Sequence, residues 1–226
     1  MNNPDFTIRI ADSDARPIQD PDPVQLVCGI AGCPSNCCKN SAPIILNPYE
    51  VSLICSAAAM PYEDLLDIVE TDRANGFPLV MLPRDPVCHF WTSQGCRIYS
   101  ARPLACRLFP LGRVFDNGRS YIVLPDRNHC GGLVPSPSKT LVEYLREQDT
   151  QTQIEMADKW IAFVTEMEAL NLPDTPVTSV AFHMLVYSPD TPPSANPQDS
   201  PSGPEARFLL RLRTARAKLP AFLKRS

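Results

Sequence analysis

Nine cysteines are distributed unevenly along the 226-residue chain, and four of them fall within eleven residues. Eight are candidate thiolate ligands of a metal: Cys28, Cys33, Cys37, Cys38, Cys88, Cys96, Cys106 and Cys130. Thiolates are soft ligands that bind zinc, copper(I) and iron–sulfur clusters. Free cysteine is also a common small buried residue, but that role would not group four cysteines in one Gly- and Pro-containing segment. The pattern therefore predicts a metal centre.

The spacing of the cysteines bears on the identity of the metal. Structural zinc sites usually present C-x2-C pairs or close variants, and no C-x2-C pair occurs in this chain. The side chains of the adjacent Cys37 and Cys38 are expected to diverge and to ligate different metal atoms. Eight thiolates also exceed the four that one zinc ion or one 4Fe-4S cluster uses. The sequence favours an iron–sulfur cluster, with zinc as the alternative.

Basic and imidazole side chains accompany the later cysteines. Arg102 and Arg107 lie on either side of Cys106, and cations near thiolates stabilise the deprotonated sulfur. His89 and His129 each adjoin a cysteine, and imidazole ligates both iron and zinc. We expect these two arginines and two histidines to surround the metal centre.

Two other reactive side chains are interpreted as parts of the core. Cys55 falls within a predicted helix, on the same side as Val51 and Ile54, and His183 lies in the apolar stretch Val180–Tyr187. No G-x-S-x-G or H-E-x-x-H motif occurs, so nucleophilic hydrolysis is not expected.

Local signals predict the elements of the first half of the chain. A short strand is expected at Phe6–Ile10. Asn47, Pro48 and Glu50 are typical of a helix start, with asparagine as the cap, proline in the first turn and glutamate at the third position. A second helix is predicted from Pro61 to about Asn75, ending at the glycine that follows.

The second half combines a hairpin with helices. Phe77–Leu82 is predicted to be a strand, and Val114–Leu124, with Asn117-Gly118 at its middle, is predicted to form a hairpin. Apolar residues between Lys139 and Leu170 recur at helical spacing and predict two helices that break near 149–152. The expected fold class is α+β, with a small loop-rich cysteine core covered by C-terminal helices.

Composition suggests three parts: a metal-binding domain over 1–187, a disordered Pro-rich linker over 188–205 and a basic amphipathic helix over 206–226. The net charge of -4 gives no reason to expect nucleic acid, although the basic helix could bind a protein partner. No apolar run of about 18 residues occurs, as a membrane helix would need, and the first residues lack a signal-peptide pattern. We expect a cytoplasmic protein with reduced thiols.

The later cysteines lie in a longer motif, C-x-F…C-x-I-Y-x-x-R-P-x-x-C-R-x-F-P, formed by Cys88–Phe90, Cys96–Tyr99 and Arg102–Pro110. The chain also has a tight leading group that ends in Cys-Cys and a trailing Cys-x-Gly. Together with the motif, these features resemble the YkgJ-type cysteine-cluster family, whose domain is described as chelating zinc or iron. The resemblance covers about residues 25 to 135. The leading group departs from the family's frequent C-x2-C-x4-C-C spacing.

Three functions remain open at this point. The chain could be an accessory, redox or sensing metalloprotein. Because flagellin lysine methylases have a similar cysteine pattern, the resemblance also allows a cluster-dependent enzyme that modifies a protein. A third alternative is a partner-binding module in which zinc only holds the fold.

Overall fold

In a computed structural model of the chain, the residues described are 16–18, 23–24, 36–39, 42–74, 77–115, 119–124, 139–170, 175–189 and 201–221. The expected strand at Phe6–Ile10 lies outside these residues, as do Cys28, Cys33, Cys130 and His129. The described part is a mixture of helices and small antiparallel sheets, and the predicted α+β class is confirmed.

Short strands form several small sheets. The strands are β1 (Arg16–Ile18), β2 (Pro23–Val24), β3 (Ile44–Leu46), β4 (Glu70–Ala74), β5 (Phe77–Leu82), β6 (Trp91–Thr92), β7 (Gly95–Cys96), β8 (Leu111–Phe115), β9 (Arg119–Val123) and β10 (Lys139–Thr140). One sheet has the order β3-β5-β4 and another the order β1-β9-β8, while β6 pairs with β7 and β10 with β2. The predicted strand at Phe77–Leu82 and the hairpin at Val114–Leu124 are therefore confirmed.

Helices cover these sheets. They are α1 (Pro48–Ala58), α2 (Tyr62–Leu66), α3 (Leu104–Leu108), α4 (Leu141–Glu147), α5 (Gln151–Glu168), α6 (Pro176–Phe182) and α7 (Pro204–Lys218), and a π-helical turn at His183–Tyr187 follows α6. The break between α4 and α5 falls where the sequence predicts it, and Asp149 there has a positive φ of 51°. No helix of the described residues is long and apolar enough to cross a membrane.

The start of α1 follows the predicted capping pattern. The Asn47 side chain accepts from the Glu50 backbone N–H at 3.0 Å, and the Glu50 carboxylate accepts from the Asn47 N–H at 2.9 Å. This reciprocal pair satisfies two amide donors that a helix start leaves without an intrahelical partner. The helix then buries Val51, Ile54 and Cys55 in the main core.

The prediction of one long helix over Pro61–Asn75 is wrong. The helix ends at Leu66, and Glu70–Ala74 is instead a strand whose last residue pairs with Phe77. Only two residues, Asn75-Gly76, separate the two strands, and Asn-Gly is a strong sequence signal for a two-residue hairpin. Pairing with the neighbouring strand therefore outweighs the helical spacing of the apolar residues before it.

The basic helix α7 packs onto the main core. Its apolar face is buried with residues of α1 and α5, through Phe208, Leu212, Ala215 and Leu219. The basic residues Arg207, Arg213 and Lys218 are exposed, whereas Arg211 is buried and donates from Nη2 to the Pro189 carbonyl at 3.2 Å. The division of the chain at 188–205 and partner binding by this helix stay predictions.

Candidate metal centre

The first described cysteines lie in a short 3₁₀ turn, Asn36–Cys38. The buried Arg84, which follows β5, is hydrogen-bonded to the backbone of this segment. Its Nε donates to the Ala42 carbonyl at 2.7 Å and its Nη1 donates to the Cys37 carbonyl at 2.8 Å. One guanidinium therefore ties the cysteine turn to the loop that leads to the next cysteine.

A backbone hydrogen bond joins Cys88 to this turn, and a hairpin connects Cys96 to the loop of Cys88. The Cys88 N–H donates to the Cys38 carbonyl at 2.7 Å, and the Trp91 N–H donates back to the Cys88 carbonyl at 3.0 Å. Cys96 lies in β7, directly opposite Trp91 in the β6–β7 hairpin. The hairpin therefore returns Cys96 towards the loop that holds Cys88.

Cys106 is supplied by α3, a helix of five residues. Its side chain is partly buried and packs against the main core, as do those of Cys38 and Cys96, and Cys88 is one of the buried residues of that core. Four candidate ligands from three segments of the chain thus belong to or adjoin the main core, and Cys37 directly precedes one of them.

The five thiols also influence one another electrostatically. Charge on Cys37 would raise the pKa of Cys38, Cys88, Cys96 and Cys106. A hydrogen bond from Cys38 is the main cause that lowers the pKa of Cys37 to about 7, and donating it raises the pKa of Cys38. These adjacent thiols therefore lie close enough to interact, and their ligation of different metal atoms stays a prediction.

Burial makes the thiolate form unfavourable at the other three positions. It is the largest cause of the raised pKa of Cys88, Cys96 and Cys106. Several buried thiolates in one place need compensating positive charge, and a metal ion supplies more of it than side chains can, deprotonating coordinated thiols outright. The donor set therefore fits a thiophilic metal.

Within the described ranges, no three His, Cys, Asp or Glu side chains stand close enough together to hold a metal ion. The described thiols are near one another without forming a finished coordination shell. Three further predicted ligands, Cys28, Cys33 and Cys130, lie outside the described residues. Assignment of the complete ligand set stays a prediction.

Arg84 is the contributor that the sequence analysis missed. Its charge acts to lower the pKa of Cys37, Cys88 and Cys106. Its position four residues before Cys88 was an available signal. The hydrogen bonds to the Cys37–Ala42 segment were not predictable, because they join residues more than forty positions apart.

Arg102, predicted to lie beside the metal, is buried and acts on two of the thiols. Its guanidinium stacks on the Tyr99 ring at 3.7 Å, and its Nε donates to the Tyr99 carbonyl at 3.1 Å. Its charge acts to lower the pKa of Cys37 and Cys96. Together with Arg84, it places a second buried cation near the cysteines.

Arg107 is also buried, but its hydrogen bonds are directed at the backbone. It donates to the carbonyls of Ser100, Arg102, Gln148 and Asp149. These bonds join the cysteine-bearing helix α3 to the junction between α4 and α5. Arg107 therefore supports the site indirectly, because it holds the helix that carries Cys106 in place.

His89 is exposed, and its ring meets the Phe90 ring edge-on at a centroid distance of 5.3 Å.

The two residues that the sequence predicts to be part of the core, Cys55 and His183, are buried and partly buried. Cys55 is buried in α1, and His183 is partly buried, with its Nδ1 3.1 Å from the Tyr62 hydroxyl.

Comparison with known proteins identifies the cysteine region. Residues 28–130 match the family model CxxCxxCC, described as "Putative zinc- or iron-chelating domain". The matched segment begins at Cys28, ends at Cys130 and contains all eight candidate ligands. No curated protein and no solved structure matches the chain. Residues 28–130 are therefore similar to the cysteine-cluster domains of this family, as the motif of the later cysteines indicates.

Proposed function

We propose that this chain holds a thiolate-ligated metal centre, an iron–sulfur cluster in preference to zinc, and that it serves a redox, sensing or accessory role in the cytoplasm. The proposed ligands are drawn from Cys28, Cys33, Cys37, Cys38, Cys88, Cys96, Cys106 and Cys130. Arg84 and Arg102 are the proposed charge partners of the thiolates.

The observation that carries the proposal is the electrostatic influence that five thiols from three separate segments have on one another. Two hydrogen bonds from the buried Arg84 and one from the Cys88 N–H hold the first two segments together. Such a set of soft donors is typical of zinc or iron–sulfur proteins. Zinc or iron chelation is also what the matched family description names.

The number and surroundings of the thiols favour the cluster over zinc. More cysteines are present than the four that one structural zinc ion uses, and none is spaced as C-x2-C. Iron–sulfur clusters carry negative charge, and nearby charges, hydrogen bonds and solvent access set their reduction potentials. The buried guanidiniums of Arg84 and Arg102 would supply compensating positive charge.

The residues of the chain have distinct tasks in this proposal. When bound, a cluster supplies one-electron exchange. The cysteines hold it, the two buried arginines offset the charge of the thiolates, and the hydrophobic core beneath Cys38, Cys88 and Cys106 limits the access of water.

The test is anaerobic purification followed by metal and acid-labile sulfide analysis with an absorption spectrum. The expected result is brown protein with iron and sulfide in similar amounts. Colourless protein with stoichiometric zinc would overturn the cluster assignment and leave a thiolate zinc site. Folded protein that takes up neither zinc nor iron with sulfide would overturn the metal centre itself.

A further inference from the structure

Glu50 occupies an unusual place between two helix starts. Its side chain is buried, and its two carboxylate oxygens accept from different elements. Oε2 accepts from the Asn47 N–H at 2.9 Å, which completes the cap of its own helix, α1. Oε1 accepts from the Leu104 N–H at 2.7 Å, 54 residues further along the chain.

The second of these bonds serves the helix that carries Cys106. Leu104 is the first residue of α3, whose N-cap position is Pro103, and this proline makes no side-chain capping hydrogen bond. The amide donors of a helix start need partners from outside the helix. Glu50 therefore supplies from α1 the cap that α3 does not supply itself.

The position of Cys106 depends on the contacts that hold α3, because this helix has only five residues. A helix this short is not stable alone and takes its position from tertiary contacts. Its far end is fixed by the Tyr144 hydroxyl, which donates to the Phe109 carbonyl at 3.0 Å. Glu50 fixes the near end, two residues before Cys106.

We propose that Glu50 is a positioning residue for the metal centre: through the Leu104 amide, its carboxylate holds α3 so that Cys106 faces the other thiols. The inference rests on the proposed thiolate metal centre. In metalloproteins, removing a partner that orients a ligand typically lowers metal affinity about 10- to 100-fold.

Asn47 provides a matched control. Asn47→Ala removes the side-chain oxygen that caps α1 but leaves the Asn47 N–H and both oxygens of Glu50. Glu50→Ala removes both the α1 contact and the α3 contact. Both variants weaken the start of α1, and only the glutamate variant removes the cap from α3.

Wild type and both variants are reconstituted with Zn²⁺ and, separately, with Fe²⁺ plus sulfide, and the form that the wild type holds is titrated with a chelator. We expect Glu50→Ala to lose metal affinity about 10- to 100-fold and to change the thiolate-to-metal absorption, while Asn47→Ala retains both. Equal affinity and identical spectra in the two variants would overturn the inference alone. A wild type that binds neither form would overturn the proposed function beneath it.

Glu50→Gln keeps the test decisive if the alanine variant does not fold. The amide has one oxygen, so it can accept from only one of the two backbone donors. Hydrogen exchange at the Leu104 amide reports whether the bond to α3 survives. If metal affinity falls only when the Leu104 amide loses its protection from exchange, the positioning role is supported. If metal affinity changes while the protection of this amide does not, the positioning role is overturned.

Discussion

Arg84→Gln is the substitution whose effect can be worked out most fully from the structure. Arg84 is 9% exposed, and its guanidinium donates to the carbonyls of Cys37 and Ala42. A hydrogen bond involving a charged group contributes about 1.5–3 kcal/mol net. Taking the lower value for both bonds gives a loss of about 3 kcal/mol, which corresponds to about 100-fold in an equilibrium constant.

This loss is expected in folding and, up to the same amount, in metal affinity, because the two bonds hold the Cys37–Cys38 turn against the loop of Cys88. Arg97→Gln is the control. Arg97 lies in the segment that contains Cys88 and Cys96 but is exposed, and its Nη2 is 3.5 Å from the His89 carbonyl. An exposed substitution of this kind changes stability by less than about 0.5 kcal/mol. Arg84→Lys keeps the charge but loses the forked geometry of the guanidinium, so its metal affinity and stability should lie between those of the two glutamine variants.

The assay combines chelator competition with urea unfolding of the metal-free and metal-bound forms of each variant. The account predicts a large loss of metal affinity for Arg84→Gln, an intermediate loss for Arg84→Lys and almost none for Arg97→Gln. Equal metal affinities in Arg84→Gln and Arg97→Gln would refute the role assigned to Arg84, whatever their stabilities.

The buried carboxyl of Glu50 predicts a particular pH dependence. Burial raises its pKa to about 7 from an ordinary value of 4.5, so the folded state binds more protons than the unfolded state between these values. The free energy of unfolding must then decrease as pH rises through this interval. In urea unfolding of metal-free protein, the stability of wild type relative to Glu50→Gln should be greater at about pH 5 than at about pH 8. An advantage that grows with pH would show that the carboxylate is favoured by its surroundings.

Short-range signals in the sequence are sufficient to predict the elements whose contacts join residues close together along the chain. Asn47 and Glu50 are three residues apart, and their side chains cap the same helix from a pattern visible in the sequence. The hairpin around Asn117-Gly118 was predicted from the same kind of short-range signal. Asn75-Gly76 carries this signal too, but the apolar residues before it recur at helical spacing and therefore favour a helix.

The site depends on long-range contacts that no local pattern specifies. The sequence motif identifies which cysteines to consider, and the described ones lie in three segments that pack around the main core without forming a group of three metal ligands. The contacts that bring them together, from Arg84 to the Cys37–Ala42 segment and from Glu50 to Leu104, join residues that are 42 to 54 positions apart. Such pairings follow from the tertiary arrangement of distant segments, which the sequence alone does not provide.

The most direct test of the central claim compares Cys106→Ser with Cys55→Ser. Both residues lie in helices, but Cys106 is a proposed ligand and Cys55 is buried in α1 as part of the core. Metal content is measured in both after anaerobic purification, with circular dichroism to verify folding. The account predicts that Cys106→Ser loses most of its metal and that folded Cys55→Ser retains a full complement. Equal loss in the two folded variants, or full retention by Cys106→Ser, would contradict it.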